Sequence, residues 1–175
     1  KSGELPMQIP LIISNHQDLE QICTNFGIPF KYIPIVPKKK SASEKAILSL
    51  LKEYKIELVV LAKYMQILSG DFLSKFGTVI NIHHSFLPAF KGAQPYHRAW
   101  DRGVKLIGAT AHYVTEDLDD GPIIEQTIAY VSHRDEVEDL IRKGRDTERI
   151  ALARALRLYL RRQVIVYRGR TAIFA

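Results

Sequence analysis

The sequence predicts a three-layer α/β/α fold: a mostly parallel, doubly wound sheet with helices on both faces and an antiparallel extension at one side. Three observations predict it. Short apolar runs alternate with amphipathic helical patterns through the first half of the chain, and strand-helix-strand repetition means a parallel sheet covered on both faces. Beyond Gly103 that alternation gives way to two longer strand-like runs joined by an acidic, glycine-containing turn. One long amphipathic pattern and a hairpin signal complete the chain.

Residues 9 to 14, 31 to 36, 58 to 62 and 79 to 83 are apolar runs of strand length. Between the first two, residues 16 to 26 carry helical spacing. Residues 43 to 55 form a second predicted helix, opened by Ser43-Glu44 and carrying the one-sided stripe Ile47, Leu48 and Leu51. Residues 105 to 114 and 123 to 131 are the longer strands. Residues 134 to 161 read as one helix whose buried side carries Val137, Leu140, Ile141, Ile150, Ala153, Leu156 and Leu160, with Gly144 as a kink or break. Residues 164 to 167 and 171 to 174 close as a hairpin across Arg168-Gly169. Residues 1 to 8 look like the tail of an element whose strand lies upstream. A sheet that lacks a central strand leaves backbone hydrogen bonds unmade. The expectation is one domain over residues 1 to 175, truncated at its amino end and without its first βα unit.

A chain of 175 residues can bury about two-thirds of its unfolded surface in one domain. Its apolar runs stay well short of the roughly 20 residues of a membrane-spanning helix. With no signal-peptide pattern at Lys1, the expected location is the cytoplasm. The single Cys23 forms neither an internal disulfide nor a multi-cysteine metal site, and reads as a small buried hydrophobe. The net charge of +6 gathers at Lys38, Lys39 and Lys40 and along residues 142 to 170, which is attractive to polyanions. Most of those charges alternate with apolar residues at helical spacing, as a solvated helix face does. Neither nucleic acid nor a membrane is an expected partner.

No GxGxxG, GxxxxGK[ST], GxSxG or HExxH stretch occurs, so dinucleotide, P-loop, serine-hydrolase and zincin chemistries lose their main support. Polar residues collect instead at 81 to 97, directly after an apolar strand, and ligands in open α/β sheets bind at the carboxyl ends of strands. Asn81 and His83 are two apart, so both side chains leave one face of a strand. An amide and an imidazole N–H suit a carbonyl oxygen that becomes an oxyanion. Taken alone, Asn-x-His is also a common strand-end turn, and residues 115 to 122 are also an ordinary acidic turn with Asp-Gly. The ordered combination is more specific: Asn81-x-His83, Ser85-x-Leu87-Pro88, His112 within a strand, then Leu118-Asp119-x-Gly121-Pro122.

This constellation resembles the folate-dependent formyltransferase family, and Asn81, His83 and Asp119 match its catalytic Asn, His and Asp. The stretches 81 to 90, 108 to 114, 118 to 124, and 133 to 135 through 143 to 146 are similar to the branch that hydrolyses 10-formyltetrahydrofolate. His84 stands where the glycinamide ribonucleotide branch has Pro, a departure that favours the hydrolytic branch. The resemblance implies the formyltransferase type of fold, release of formate for one-carbon metabolism and purine biosynthesis, no cofactor beyond the folate substrate, and a separate amino-terminal regulatory domain of the ACT type. It also implies a pterin site formed by Met65, Gln66, Ile67 and Leu68, flanked by Thr115, Glu116, Asp117 and Leu118. The transferases of the family often have Arg where Gln66 stands.

Under that resemblance Asp119 takes the proton of an attacking water while Asn81 and a protonated His83 hold the oxyanion. His112 is an orienting partner, His84 points away from His83 and is structural, and Lys91, Gln94 and Tyr96 line the rim or belong to a plain surface loop. The late strands and long helix are expected to make a homo-oligomer. Three alternatives stand beside this one: formyl transfer to an amine, a metal site of His83, His112 and Asp119, and a non-catalytic folate- or polyanion-binding subunit.

Overall fold

The computed structural model describes residues 5 to 35, 40 to 87 and 94 to 174. Strands β1 (Ile12–Ser14) and β2 (Phe30–Tyr32) pair in parallel around helix α1 (Glu20–Asn25). Then come α2 (Lys40–Glu53), β3 (Val59–Ala62), α3 (Gly70–Lys75) and β4 (Val79–His83). They are followed by α4 (Pro95–Arg102), β5 (Leu106–Tyr113), β6 (Ile123–Tyr130) and the long α5 (Val137–Leu160). A hairpin of β7 (Val164–Tyr167) and β8 (Arg170–Ile173) ends the described chain. The main sheet has the order β3-β4-β5-β6, parallel between β3 and β4 and antiparallel through β5 and β6. This is the α/β architecture with the antiparallel extension that the sequence predicts.

Side-chain alternation along β4 builds the layers. Ile80 and Ile82 pack with Ala109, Ala111 and Ile124 against Ala151, Ala155 and Leu156 of α5. Val79 points the opposite way, into Leu51 of α2, Leu68 ahead of α3 and Phe72 within α3. Ile80 is wholly buried, and burial of such a side chain stabilises by about 1.5–3 kcal/mol. Small residues on both partners, Ala109 and Ala111 on β5 with Ala151 and Ala155 on α5, let helix and sheet approach closely.

Several predicted boundaries and faces change. The first two strands are three residues each, because the parallel ladder runs only from Ile12↔Phe30 to Ser14↔Tyr32. Helix α2 begins at Lys40, before the predicted start, and Ser43 donates its hydroxyl proton to the Pro34 carbonyl from within the first turn. Of the predicted buried side of α5, Leu140 and Leu156 are buried, and the stripe runs from Leu140 through Gly144, Thr147 and Ala151 to Ala155 at steps of three and four residues. Ile150 lies about a quarter-turn off that stripe and is 43% exposed. Helix α5 runs unbroken through Gly144, where a Cβ would overlap the ring of Tyr96. That glycine makes room for a neighbour; it does not end a helix.

Two short helices carried local signals that the periodicity of the chain did not reveal. Ser69 caps α3 by accepting a hydrogen bond from the Phe72 N–H at 3.1 Å. Pro95 opens α4, and Gly103 ends it in the left-handed conformation at φ +65°. Among the described residues, no ladder joins β1 and β2 to the main sheet, and β3 is that sheet's edge strand.

Candidate active site

The β4–β5 register assembles one polar face. Asn81 stands opposite His112 and His83 opposite Thr110, and cross-strand partners share a face. A turn between β5 and β6 then brings Asp119 over them. Two backbone features shape that turn. Asp119 adopts the left-handed conformation at φ +53°, and a Cβ at Gly121 would overlap the Tyr113 carbonyl oxygen. The chain is pinned where it enters and leaves the turn, because Val114 N–H donates to the Val79 carbonyl and Tyr113 N–H to the Pro122 carbonyl, both at 2.9 Å.

The Asp119 carboxylate reaches both imidazoles. Its Oδ2 lies 3.2 Å from His83 Nδ1, and its Oδ1 lies 3.7 Å from His112 Nε2. All three side chains are nearly buried, which strengthens every polar contact among them. His112 Nδ1 is 2.8 Å from the Tyr113 carbonyl, which only accepts, so Nδ1 carries a proton. In the neutral ring Nε2 is then an acceptor for the Asn81 Nδ2 group at 3.3 Å, and it pairs with Asp119 only in the protonated ring. That chain fixes the Asn81 amide, and its nitrogen has a second proton to offer a carbonyl oxygen. Chemically, the arrangement can hold an oxyanion beside a carboxylate able to take a proton.

The stretch 63 to 69 flanks this face. Met65 is 72% exposed and Ile67 49%, with Gln66 also exposed, while Leu68 is buried in the core with Leu51, Phe72 and Val79. Thr115, Glu116, Asp117 and Leu118 form an exposed loop in which the Thr115 hydroxyl donates to the Asp117 carbonyl at 3.2 Å. The two stretches meet, because a Cβ on Gly70 would run into the Glu116 carboxylate. Glu44, read from the sequence only as part of a helix start, is buried on α2 and accepts from the Ser69 N–H and hydroxyl, tying down the end of the first stretch. A charged residue on an otherwise apolar helix stripe was the available signal. Burial and then the Glu44 carboxylate push the Tyr64 hydroxyl above its ordinary value.

His84 departs from expectation. Strand β4 ends at His83, so alternation no longer governs the next residue, and the two rings stack with centroids 4.7 Å apart. Tyr96 tilts against His84 at 6.5 Å and donates to Glu148 Oε1 at 3.0 Å. Burial and then Glu148 push the Tyr96 hydroxyl above its ordinary value, so it stays a donor. Of the other rim residues, Gln94 precedes α4 in the left-handed conformation and Lys91 lies outside the described residues. A cavity of about 600 Å³ lined by Lys40, Lys45 and Lys75 with Glu44, Ser69 and Asp71 contains none of the Asn81, His83 and Asp119 cluster.

The pattern of the formyl transferase family matches residues 1–156 of the chain. The chain belongs to the formyl transferase family. Among its relatives, the formyltetrahydrofolate deformylase of Synechocystis sp. is 63% identical over the whole chain, which spans 62% of that protein. The crystal structure of a formyltetrahydrofolate deformylase from Pseudomonas syringae pv. tomato superposes with a TM-score of 0.94 at 50% identity, covering 99% of this chain and 59% of that one. More distant is glycinamide ribonucleotide transformylase 1 from Symbiobacterium toebii, with a TM-score of 0.88, 33% identity, and coverage of 99% and 84%. The chain thus spans about three-fifths of the length of these deformylase relatives.

Proposed function

We propose that the protein containing this chain hydrolyses 10-formyltetrahydrofolate to formate and tetrahydrofolate. The observation that carries it is the Asp119 carboxylate set 3.2 Å from His83 on the face that also presents Asn81. Identity of 63% to one deformylase against 33% to a glycinamide ribonucleotide enzyme favours water over an amine as acceptor. Water attacks the formyl carbon while Asp119 takes its proton. Asn81 and His83 hold the tetrahedral oxyanion. Collapse breaks the bond between that carbon and N10, which takes a proton as tetrahydrofolate leaves, and formate departs. Met65, Gln66, Ile67, Thr115, Glu116, Asp117 and Leu118 receive the pterin, Leu68 offers only its backbone because its side chain is buried in the core, and His112 orients Asn81.

The reaction needs no cofactor beyond the folate. Direct pairing of Asp119 with His83 supports organic acid–base chemistry over a metal site of His83, His112 and Asp119, and turnover should therefore survive a chelator. The formate feeds one-carbon metabolism and purine biosynthesis in the cytoplasm. The assembly is a homo-oligomer, with neither nucleic acid nor a membrane as partner; no described helix is long and apolar enough to cross a bilayer. The chain is the catalytic part of a longer polypeptide whose further strand pairs with the open edge of β3, where Val60 is 37% exposed. The test compares two neighbours in one turn. Asp119→Asn should lose about 100-fold or more in turnover at saturating formyl folate, the usual value of general-base help. Asp120→Asn should stay active, with thermal melting of both variants separating folding from catalysis. The reverse pattern moves the base by one residue, and two active variants refute the mechanism.

A further inference from the structure

Thr110 sits opposite His83 on the neighbouring strand and is wholly buried. Its hydroxyl donates to the Ser85 carbonyl at 2.9 Å and accepts from the Leu87 N–H at 3.1 Å. It also accepts from Gln126 Nε2 at 3.0 Å. One donor and two acceptor positions are all that a hydroxyl has, so Thr110 is saturated. Gln126 Nε2 gives its other proton to the Leu87 carbonyl at 3.2 Å. Two side chains therefore satisfy three backbone groups of a turn that has left the β4 ladder.

Leaving such buried groups without partners costs about 1–3 kcal/mol each, so the turn has one strongly preferred arrangement. Gly108, where a Cβ would overlap the Thr127 carbonyl oxygen of β6, keeps β5 and β6 close beside the turn. His84 is the link between this turn and β4. Holding Ser85 in place holds the His84 ring on the face of His83, while Asp119 engages the His83 edge. We propose that Thr110 and Gln126 are positioning residues: they fix the turn after β4 and, through His84, the orientation of the His83 imidazole. The inference rests on the role of His83 proposed above. A displacement of about 1 Å at a reacting group can cost on the order of 100-fold in rate, which makes the seat of His83 consequential.

Three variants of the full-length protein test this: Thr110→Ser, Thr110→Val and Gln126→Met. The readouts are melting temperature, kcat and KM on 10-formyltetrahydrofolate, and the NMR resonances of the His83 and His84 ring protons. Thr110→Val and Gln126→Met should lower kcat about 10-fold or more with little change in KM, and both should shift the ring resonances. Thr110→Ser keeps the hydroxyl and should restore rate and resonances together. Where Thr110→Val does not fold, Gln126→Met decides, because it leaves the Ser85 and Leu87 bonds of Thr110 intact. Folded variants with near-normal kcat and unmoved resonances overturn the proposal, as does a Thr110→Ser protein as slow as Thr110→Val. If the unmodified protein releases no formate, the functional reading falls by itself, and the ring resonances still decide whether Thr110 and Gln126 orient His83.

Discussion

Asp119 combines a left-handed backbone with a nearly buried carboxylate between two imidazoles. A non-glycine residue in that conformation costs roughly 1–2 kcal/mol, and such strain gathers at functional sites. Asparagine visits it as readily as aspartate does, so Asp119→Asn removes the charge without disturbing the turn. Asn81 acts differently. As an oxyanion donor it matters once negative charge develops, so Asn81→Ala should lower kcat by about 100-fold or more while KM changes little. Steady-state kinetics on the formyl folate check this, and weakened binding at an unchanged kcat would make Asn81 a ground-state contact instead. The shared face of Asn81 and His83 was legible from the two-residue period of a strand. The stacking of His84 was not, because that period ends with the strand.

At the scale of elements, α5 and α4 meet through Gly144 and Tyr96. Alanine normally exceeds glycine by about 1 kcal/mol inside a helix. Here Gly144→Ala should instead destabilise by roughly 1–3 kcal/mol, because its methyl meets the Tyr96 ring and overpacking costs that much. Thermal melting reads the sign. In a Tyr96→Ala background the same change should become neutral or stabilising, and additive effects would contradict the packing argument. Helix α5 and the closing hairpin were plain in the sequence, one from its length and amphipathic period, the other from paired apolar runs across Arg168-Gly169. Those two turn residues have φ of +49° and +73°, as a primed hairpin turn requires. Helices α3 and α4, of six and eight residues, escaped because their signals are local caps, Ser69 before α3 and Pro95 and Gly103 at the ends of α4. The face of α5 was misassigned at Ile150 because hydrophobicity alone does not reveal that the sheet selects the stripe of small residues through Gly144, Ala151 and Ala155.

For the whole molecule, the α/β class followed from alternation, while the β3-β4-β5-β6 order of the main sheet depends on pairings distant in sequence. Large side chains stand exposed along the late strands, Tyr130 at 76% and Tyr167 at 64% among them. Surfaces of this kind mark association sites. Light scattering of the full-length protein should therefore report a homo-oligomer, and a monomeric mass would contradict the proposed assembly. The proposal that water is the acceptor is tested most directly by supplying 10-formyltetrahydrofolate to the full-length protein with no amine present, and following formate and tetrahydrofolate. Hydrolysis at this site predicts stoichiometric release of both under multiple turnover, with no acceleration when glycinamide ribonucleotide is added. Turnover that appears only with the amine, accompanied by its formylation, would contradict it and assign the chain to formyl transfer.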